Sequence, residues 1–217
     1  MKKLNGVYPA VVIDNADPEN LGRVKVRLPQ MEASGQRGSE KWVRTATLMA
    51  GRNRGSWFIP DAGDEVLVAF EAGDARHPYV LGSLWNSTNS PPMTMDKDNN
   101  KKCLCSRNGV KITIDDQSGH ESFIVETPGG QRVTLKDGPG SIVITDSNGN
   151  TVKLETIGIT LNASSKITIA ASQVEINSGA VVINAGMSKF SGVVQCDTLI
   201  SNSVISASYT PGVGNIS

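Results

Sequence analysis

Aromatic residues are scarce, ten in 217, and seven of the ten fall before position 100, so the C-terminal half has to be built without aromatic anchors. Cysteines are few and odd in number. Cys103, Cys105 and Cys196 do not describe a disulfide scaffold and read as small buried hydrophobes. His77 and His120 are the two histidines, and neither is spaced to complete a thiolate set, so no metal and no cofactor is expected. Long apolar runs are missing as well. Nothing reaches eighteen residues, and Met1 to Asn5 lead into Val7-Tyr8-Pro9 without a signal-peptide core, which predicts a soluble chain made in the cytoplasm. No charge sign dominates: Lys plus Arg and Asp plus Glu are 21 each, and charged residues make up 19% of the chain. The totals therefore imply neither a polybasic nor a polyacidic partner surface.

What is present differs between the two halves. From Tyr8 to Trp85 short alternating pieces are separated by glycine and proline turns. Val24, Val26 and Leu28 fall on one face of a strand, as do Val66, Val68 and Phe70, and Val80 to Trp85 reads as a last strand with Gly82 at a bend. Five or so strands in eighty residues, with almost no helical period, predict a small closed barrel. Asn86 to Lys102, with Pro91-Pro92 and no apolar pattern, reads as a linker.

Beyond the linker, pairs of aliphatic residues recur: Val110, Ile112 and Ile114; Ile142 and Ile144; Val152 and Leu154; Ile159 and Leu161; Ile167 and Ile169; Val174 and Ile176; Val181 and Ile183. The later pairs repeat every seven or eight residues, enough for one short strand and one tight turn. Such a unit cannot enclose a core, and a single-chain β-solenoid needs roughly twenty residues per coil. Each chain is therefore expected to lay down a fraction of a coil. Three intertwined chains would seat those aliphatic side chains on a common axis and pair one another's edges. From Thr156 onward only Lys166, Glu175, Lys189 and Asp197 are acidic or basic, which spares three identical chains like-charge repulsion and suits a rigid rod.

Specific strings add to this pattern. Gly22 to Pro29 (GRVKVRLP), Trp42 to Ala46 (WVRTA), Gly55 to Pro60 (GSWFIP), Gly63 to Phe70 (GDEVLVAF) and Asp74 to Leu84 (DARHPYVLGSL) together resemble the N-terminal OB-fold domain of contractile-tail spikes. That family includes phage baseplate assembly spikes, the VgrG proteins of type VI secretion and the spikes of phage-tail-like injection particles. Ser106 to Asp116 and Thr127 to Asp137 are similar to the start of the spike shaft, and Ser208 to Ile216 to its closing segment. The resemblance implies an all-β homotrimer: an OB-fold collar (1–88), a linker leading to the shaft (89–105) and an intertwined triple-stranded β-helical needle (106–217). It implies a non-enzymatic central spike at the distal end of a tail tube, assembled in the producing cell's cytoplasm. The collar contacts tube or hub and baseplate proteins, and the needle touches a target membrane transiently during puncture. Residues 86–105 leave no room for the lysozyme domain of some relatives, and no His-x-His iron apex is present. A separate tip protein is therefore expected at Tyr209, Pro211, Val213 and Ile216.

The candidate sites follow. The needle's axial core is expected at Ile142, Ile144, Val152, Leu154, Ile159, Leu161, Ile167, Ile169, Val174, Ile176, Val181 and Ile183, and docking to the hub at Trp57, Phe58, Arg52 and Arg54. Asp146, Asn148 and Asn150 imitate a calcium loop but lack its glycine and its bidentate acid, so a turn is expected. Two other classes are rivals. Arg23, Lys25 and Arg27 on one outward strand face, with Arg44, Arg52 and Arg54 flanking Trp42 and Trp57, could serve an OB-fold nucleic-acid module, against which the neutral totals and the long needle weigh. Asp115, Asp116 and Glu126 could serve a glycan-cleaving spike, and a receptor- or glycan-binding fibre is the closer mechanical rival.

Overall fold

The computed structural model describes residues 3–33 and 40–207. Its first layer is a barrel built by β1 (Val7–Asp14), β2 (Val24–Arg27), β3 (Glu40–Thr45), β6 (Glu65–Phe70) and β7 (Pro78–Leu84). Between β2 and β3 lies a five-residue helix, α1 (Pro29–Ala33), and between β3 and β6 a small hairpin of β4 (Ala50–Gly51) and β5 (Arg54–Gly55). The barrel closes in the order β1-β2-β3-β7-β6, with β3 and β7 the one parallel pair. Pairing slips at Ile13 opposite β2 and at Leu81 opposite β6. An extra residue bends a strand and increases its twist, and these two bends help a five-stranded sheet curl shut.

The alternation predicted for these strands is realised side chain by side chain. Val24, Val26 and Leu28, and Val66, Val68 and Phe70, all point inward and join Ala10, Val12, Val43 and Val80, none more than 8% exposed. Met31 of α1 packs on the same cluster. Most of the core is valine, whose stiff branched side chain suits a strongly twisted strand.

The loop from β1 to β2 is organised by Asp17. Its carboxylate accepts hydrogen bonds from the backbone N–H groups of Glu19, Leu21 and Arg23 at 3.1, 2.8 and 3.2 Å, and from Arg23 Nη2 at 2.7 Å. The guanidinium of Arg23 in turn lies over Trp42, 5.9 Å from the ring centre. Arg23 first, and the three amides after it, hold the Asp17 carboxyl far below the usual carboxylate range. A carboxyl with a depressed folded pKa stabilises above its unfolded pKa, and that contribution is lost as pH falls toward the folded value. Asp17→Asn is expected to lower the denaturant midpoint at neutral pH and to flatten its decline in acid. Unfolding curves from about pH 7 to about pH 3 check this.

After β7, Asn86 Nδ2 donates to Glu65 Oε2 at 2.7 Å and Asn89 Nδ2 to the Gly63 carbonyl at 3.4 Å, pinning the first part of the linker to the barrel. A seven-stranded antiparallel meander follows: β8 (Lys101–Cys105), β9 (Lys111–Asp115), β10 (Ser122–Glu126), β11 (Arg132–Lys136), β12 (Ser141–Thr145), β13 (Thr151–Glu155) and β14 (Gly158–Asn162). Each strand pairs with its neighbours in sequence and with no other. Arg107, in the β8–β9 turn, reaches Asp61 of the barrel at 3.2 Å.

Within one chain, the part of the expected needle up to Asn162 forms a self-paired sheet. From Lys101 to Asn162 the backbone satisfies itself, strand against strand. Turns of four to six residues, and of two between β13 and β14, bring each strand back beside the last. The segment 167–207, a second compact unit, contains no strand among its described residues, and its paired aliphatics Ile167, Ile169, Val174, Ile176, Val181 and Ile183 are each more than half exposed.

Candidate functional site

The register of the meander sorts its side chains. Leu104, Ile112, Val125, Val133, Ile144, Val152 and Leu161 are mutual cross-strand partners and form one row across all seven strands. Two positions away along each strand, Ile114, Phe123, Leu135, Ile142, Leu154 and Ile159 form a second row, with Lys102 at its β8 end. Side chains two apart share a face, so one side of this sheet is two continuous rows of large aliphatic groups. Among the described residues of this unit, no element packs over it. Ile114, Ile142 and Ile144 are 40–45% exposed, and Leu161 reaches 58%.

Six of the expected axial residues, Ile142, Ile144, Val152, Leu154, Ile159 and Leu161, stand on this one face. Sequence reading missed five of its members: Leu104, Phe123, Val125, Val133 and Leu135. Their alternation was visible, but Glu126, Arg132 and Lys136 close beside them masked it; those charges belong to the opposite face.

That opposite face carries Cys103 and Cys105, Lys111 with Glu126 and Arg132 as successive cross-strand partners, and Thr113, Ile124 and Val143 along its middle. The thiols were expected to be buried; instead Cys105 and Cys196 are exposed and Cys103 is half-buried. β8 is an edge strand, and its cysteines point away from the apolar rows. Among the described residues no group of three or more His, Cys, Asp and Glu side chains is placed to hold a metal. Asp146 spends its oxygens on a turn, accepting from the backbone N–H of Asn148 and Asn150 at 2.9 Å each and from Asn150 Nδ2 at 2.7 Å.

The collar has its own exposed cluster. Trp57 and Phe58 are 73% and 71% exposed, with Leu48 and Met49 beside them. They flank the β4–β5 hairpin, whose base is tied by the Thr47 hydroxyl donating to the Ser56 carbonyl at 2.6 Å and the Ser56 N–H to the Met49 carbonyl at 2.9 Å. Gly55 is required there, because a Cβ would stand 2.6 Å from the Met49 carbonyl oxygen. Gly22, at φ +72°, lets the Trp57 ring lie across the backbone; a Cβ would come within 3.0 Å of that ring. Between the hairpin and the β1–β2 loop opens a cleft of about 770 Å³, walled by Leu21, Met49, Trp57 and Phe58 with Arg54 on its lining. Thr45 Oγ1, also on that lining, is shielded from solvent and has no hydrogen-bond partner.

The rival chemistries lose part of their residues to other duties. Arg23 meets Asp17 and Glu19, Lys25 meets Glu40, and Arg44 lies over Tyr79, so three of the six candidate cations are engaged within the chain. Asp115 and Glu126 stand at opposite ends of the paired strands β9 and β10, four residues or about 13 Å apart, too far for the carboxylate pair of a glycosidase. Asp116 and Glu126 are also bound to Lys102 and Arg132 at 2.9 and 3.0 Å. Tyr209, Pro211, Val213 and Ile216 lie outside the described residues.

The described architecture is a closed five-stranded barrel followed by an antiparallel meander with one bare apolar face. Residues 8–85 match the type VI secretion system/phage-baseplate injector OB domain, and residues 122–182 the phage baseplate V C-terminal trimerisation domain. Together these take in more than half of the chain, which belongs to the phage-baseplate and type VI secretion spike family. The type VI secretion system spike protein VgrG3 of Vibrio cholerae is 33% identical over 113 residues, 49% of this chain and 11% of that protein. VgrG1b of Pseudomonas aeruginosa is 26% identical over 147 residues, 62% of this chain and 20% of that protein, and VgrG2a of the same organism is 35% identical over 98 residues, 43% and 12%. The chain thus spans a fifth or less of the length of these relatives.

Proposed function

We propose that the chain is a structural central spike of a contractile injection particle: a homotrimer that joins a tail tube and baseplate to a membrane-puncturing tip and transmits force without catalysis. The observation that carries this is the two-row aliphatic face left bare by the meander. Exposed apolar patches of this extent mark interaction sites, and three copies placed face to face would turn both rows inward. Each of the thirteen side chains is partly covered by its neighbours already, so sealing it contributes on the order of 1 kcal/mol. The sum competes well with the cost of association.

In this reading residues 1–88 are the collar, 89–105 the linker and lead into the shaft, and 106–217 the needle. Exchange of strands between chains begins after Asn162, where the pairs Ile167 and Ile169, Val174 and Ile176, and Val181 and Ile183 continue at the shorter period. The collar meets tube, hub and baseplate proteins through Trp57, Phe58, Arg52 and Arg54; a separate tip protein takes the end bearing Tyr209, Pro211, Val213 and Ile216. Assembly takes place in the producing cell's cytoplasm, and the target membrane is met only during puncture. Nucleic acid has no part in this role.

Sedimentation equilibrium over a range of concentrations tests it. A native mass three times the 23.0 kDa of one chain is expected, and a stable single-chain species overturns the shared-core shaft.

A further inference from the structure

The collar cleft and the linker are complementary to each other, yet in one chain neither covers the other: Trp57 is 73% exposed and Met95 82%. We propose that each cleft is filled by the linker of a neighbouring copy, Pro91-Pro92-Met93-Thr94-Met95-Asp96, so that the trimer is closed by a ring of clasps between collar and linker. The inference rests on the three-copy reading and names the first partner of the collar surface.

Each side supplies what the other lacks. Pro91-Pro92 holds the segment extended before it binds, and such segments suit aromatic-lined grooves because little chain entropy is lost on docking. Met93 and Met95 follow, and their sulfurs and flexible stems adapt to aromatic walls such as Trp57 and Phe58. Asp96 and Asp98 bring carboxylates to a cleft whose charged lining residue, Arg54, meets no acid among the described residues. Main-chain groups of an extended segment would supply the hydrogen bond that the shielded Thr45 hydroxyl lacks.

Placement agrees with chemistry. The linker is pinned to the barrel at Asn86 and Asn89 and ends in β8, while Ser90 to Met95 make no hydrogen bond among the described residues. Arg107 in the β8–β9 turn touches Asp61, four residues after Trp57, so the cleft opens near the root of the sheet whose bare face the copies share. The clasp takes Trp57, Phe58 and Arg54 out of the tube and hub contact proposed above, which then falls to Leu48 and Arg52, neither of which lines the cleft.

The test is disulfide trapping in a chain whose Cys103, Cys105 and Cys196 are replaced by serine. Two double variants are oxidised mildly, Leu21→Cys with Met95→Cys and Met49→Cys with Met93→Cys, beside their single variants. A covalent three-chain species from at least one double variant on a denaturing non-reducing gel, absent from the singles, is the expected result. Thiol loss with no gain in mass would mean closure within one chain and overturns the proposal. So does the absence of trapping in both doubles. Sedimentation of the same samples separates the two readings: three-chain particles without trapping refute the clasp and leave the spike standing, whereas single chains refute both.

Discussion

Ile144→Asp is expected to abolish the three-chain particle and leave a soluble single chain with an intact collar. Ile144 sits in the middle of its row, paired with Val133 on one side and Val152 on the other, so a carboxylate there has only aliphatic neighbours on its own face. Burying one unpaired carboxylate costs several kcal/mol. Symmetry would bring three of them to one level of the shaft, where each also repels the other two. The control lies one residue away. Val143 faces the opposite side, between Thr134 and Lys153, and Val143→Asp places its charge beside a half-buried lysine that can pair with it. Sedimentation equilibrium should find Val143→Asp assembled and Ile144→Asp monomeric. A heat-stable Ile144→Asp trimer would show that the aliphatic rows do not face the axis.

Leu28→Ala should do the converse, loosening the collar while leaving the copies associated. Leu28 is 1% exposed and among the largest fully enclosed side chains. Truncating such a leucine costs about 2 to 5 kcal/mol, the lost transfer energy plus the cavity left behind, a large share of the roughly 5 to 15 kcal/mol that holds an ordinary domain. All three tryptophans, Trp42, Trp57 and Trp85, precede the meander, so their fluorescence reports on the collar and on whatever covers Trp57, and not on the sheet. The expected result is a denaturant midpoint well below that of the parent by fluorescence, with three-chain mass retained in dilute buffer. Loss of both together would mean that collar and shaft fold as one unit.

The barrel was legible because its strands are one-sided. Val24, Val26 and Leu28 alternate with Lys25 and Arg27, and an alternation of that kind has a single solution once a core exists. Gly82 was rightly placed at a bend, although the extra residue is its neighbour Leu81. The shaft was harder to read. The strands from Lys101 to Thr151 recur about every ten residues, and only from Val152 onward does the spacing shorten to seven or eight, so the period read from the later pairs does not describe the self-paired sheet before them. Trp57 and Phe58 could be named from sequence as candidates for docking, but not the cleft they help wall. That depends on Gly22, thirty-five positions earlier, giving the indole a place to lie, and on a loop organised by Asp17. Sequence also marked the linker as featureless, since its prolines and methionines acquire meaning only beside an open aromatic cleft.

The connectivity of the meander sets an order of events. Closing the barrel requires β1 to find β6, Val7 against Ala69, a distant search along the chain, whereas every pairing from β8 to β14 is a hairpin between consecutive strands. Hairpins form in about 1 to 10 μs, and local pairing makes folding fast. Each newly made chain can therefore zip its sheet long before it meets another copy. In the three-copy reading, completion of the particle is governed by encounter, so its yield would depend on how many chains share a volume. Sparse synthesis leaves a finished but adhesive sheet waiting, the kind of species that aggregates or engages chaperones. A cell that makes this protein in a concentrated burst shortens that wait.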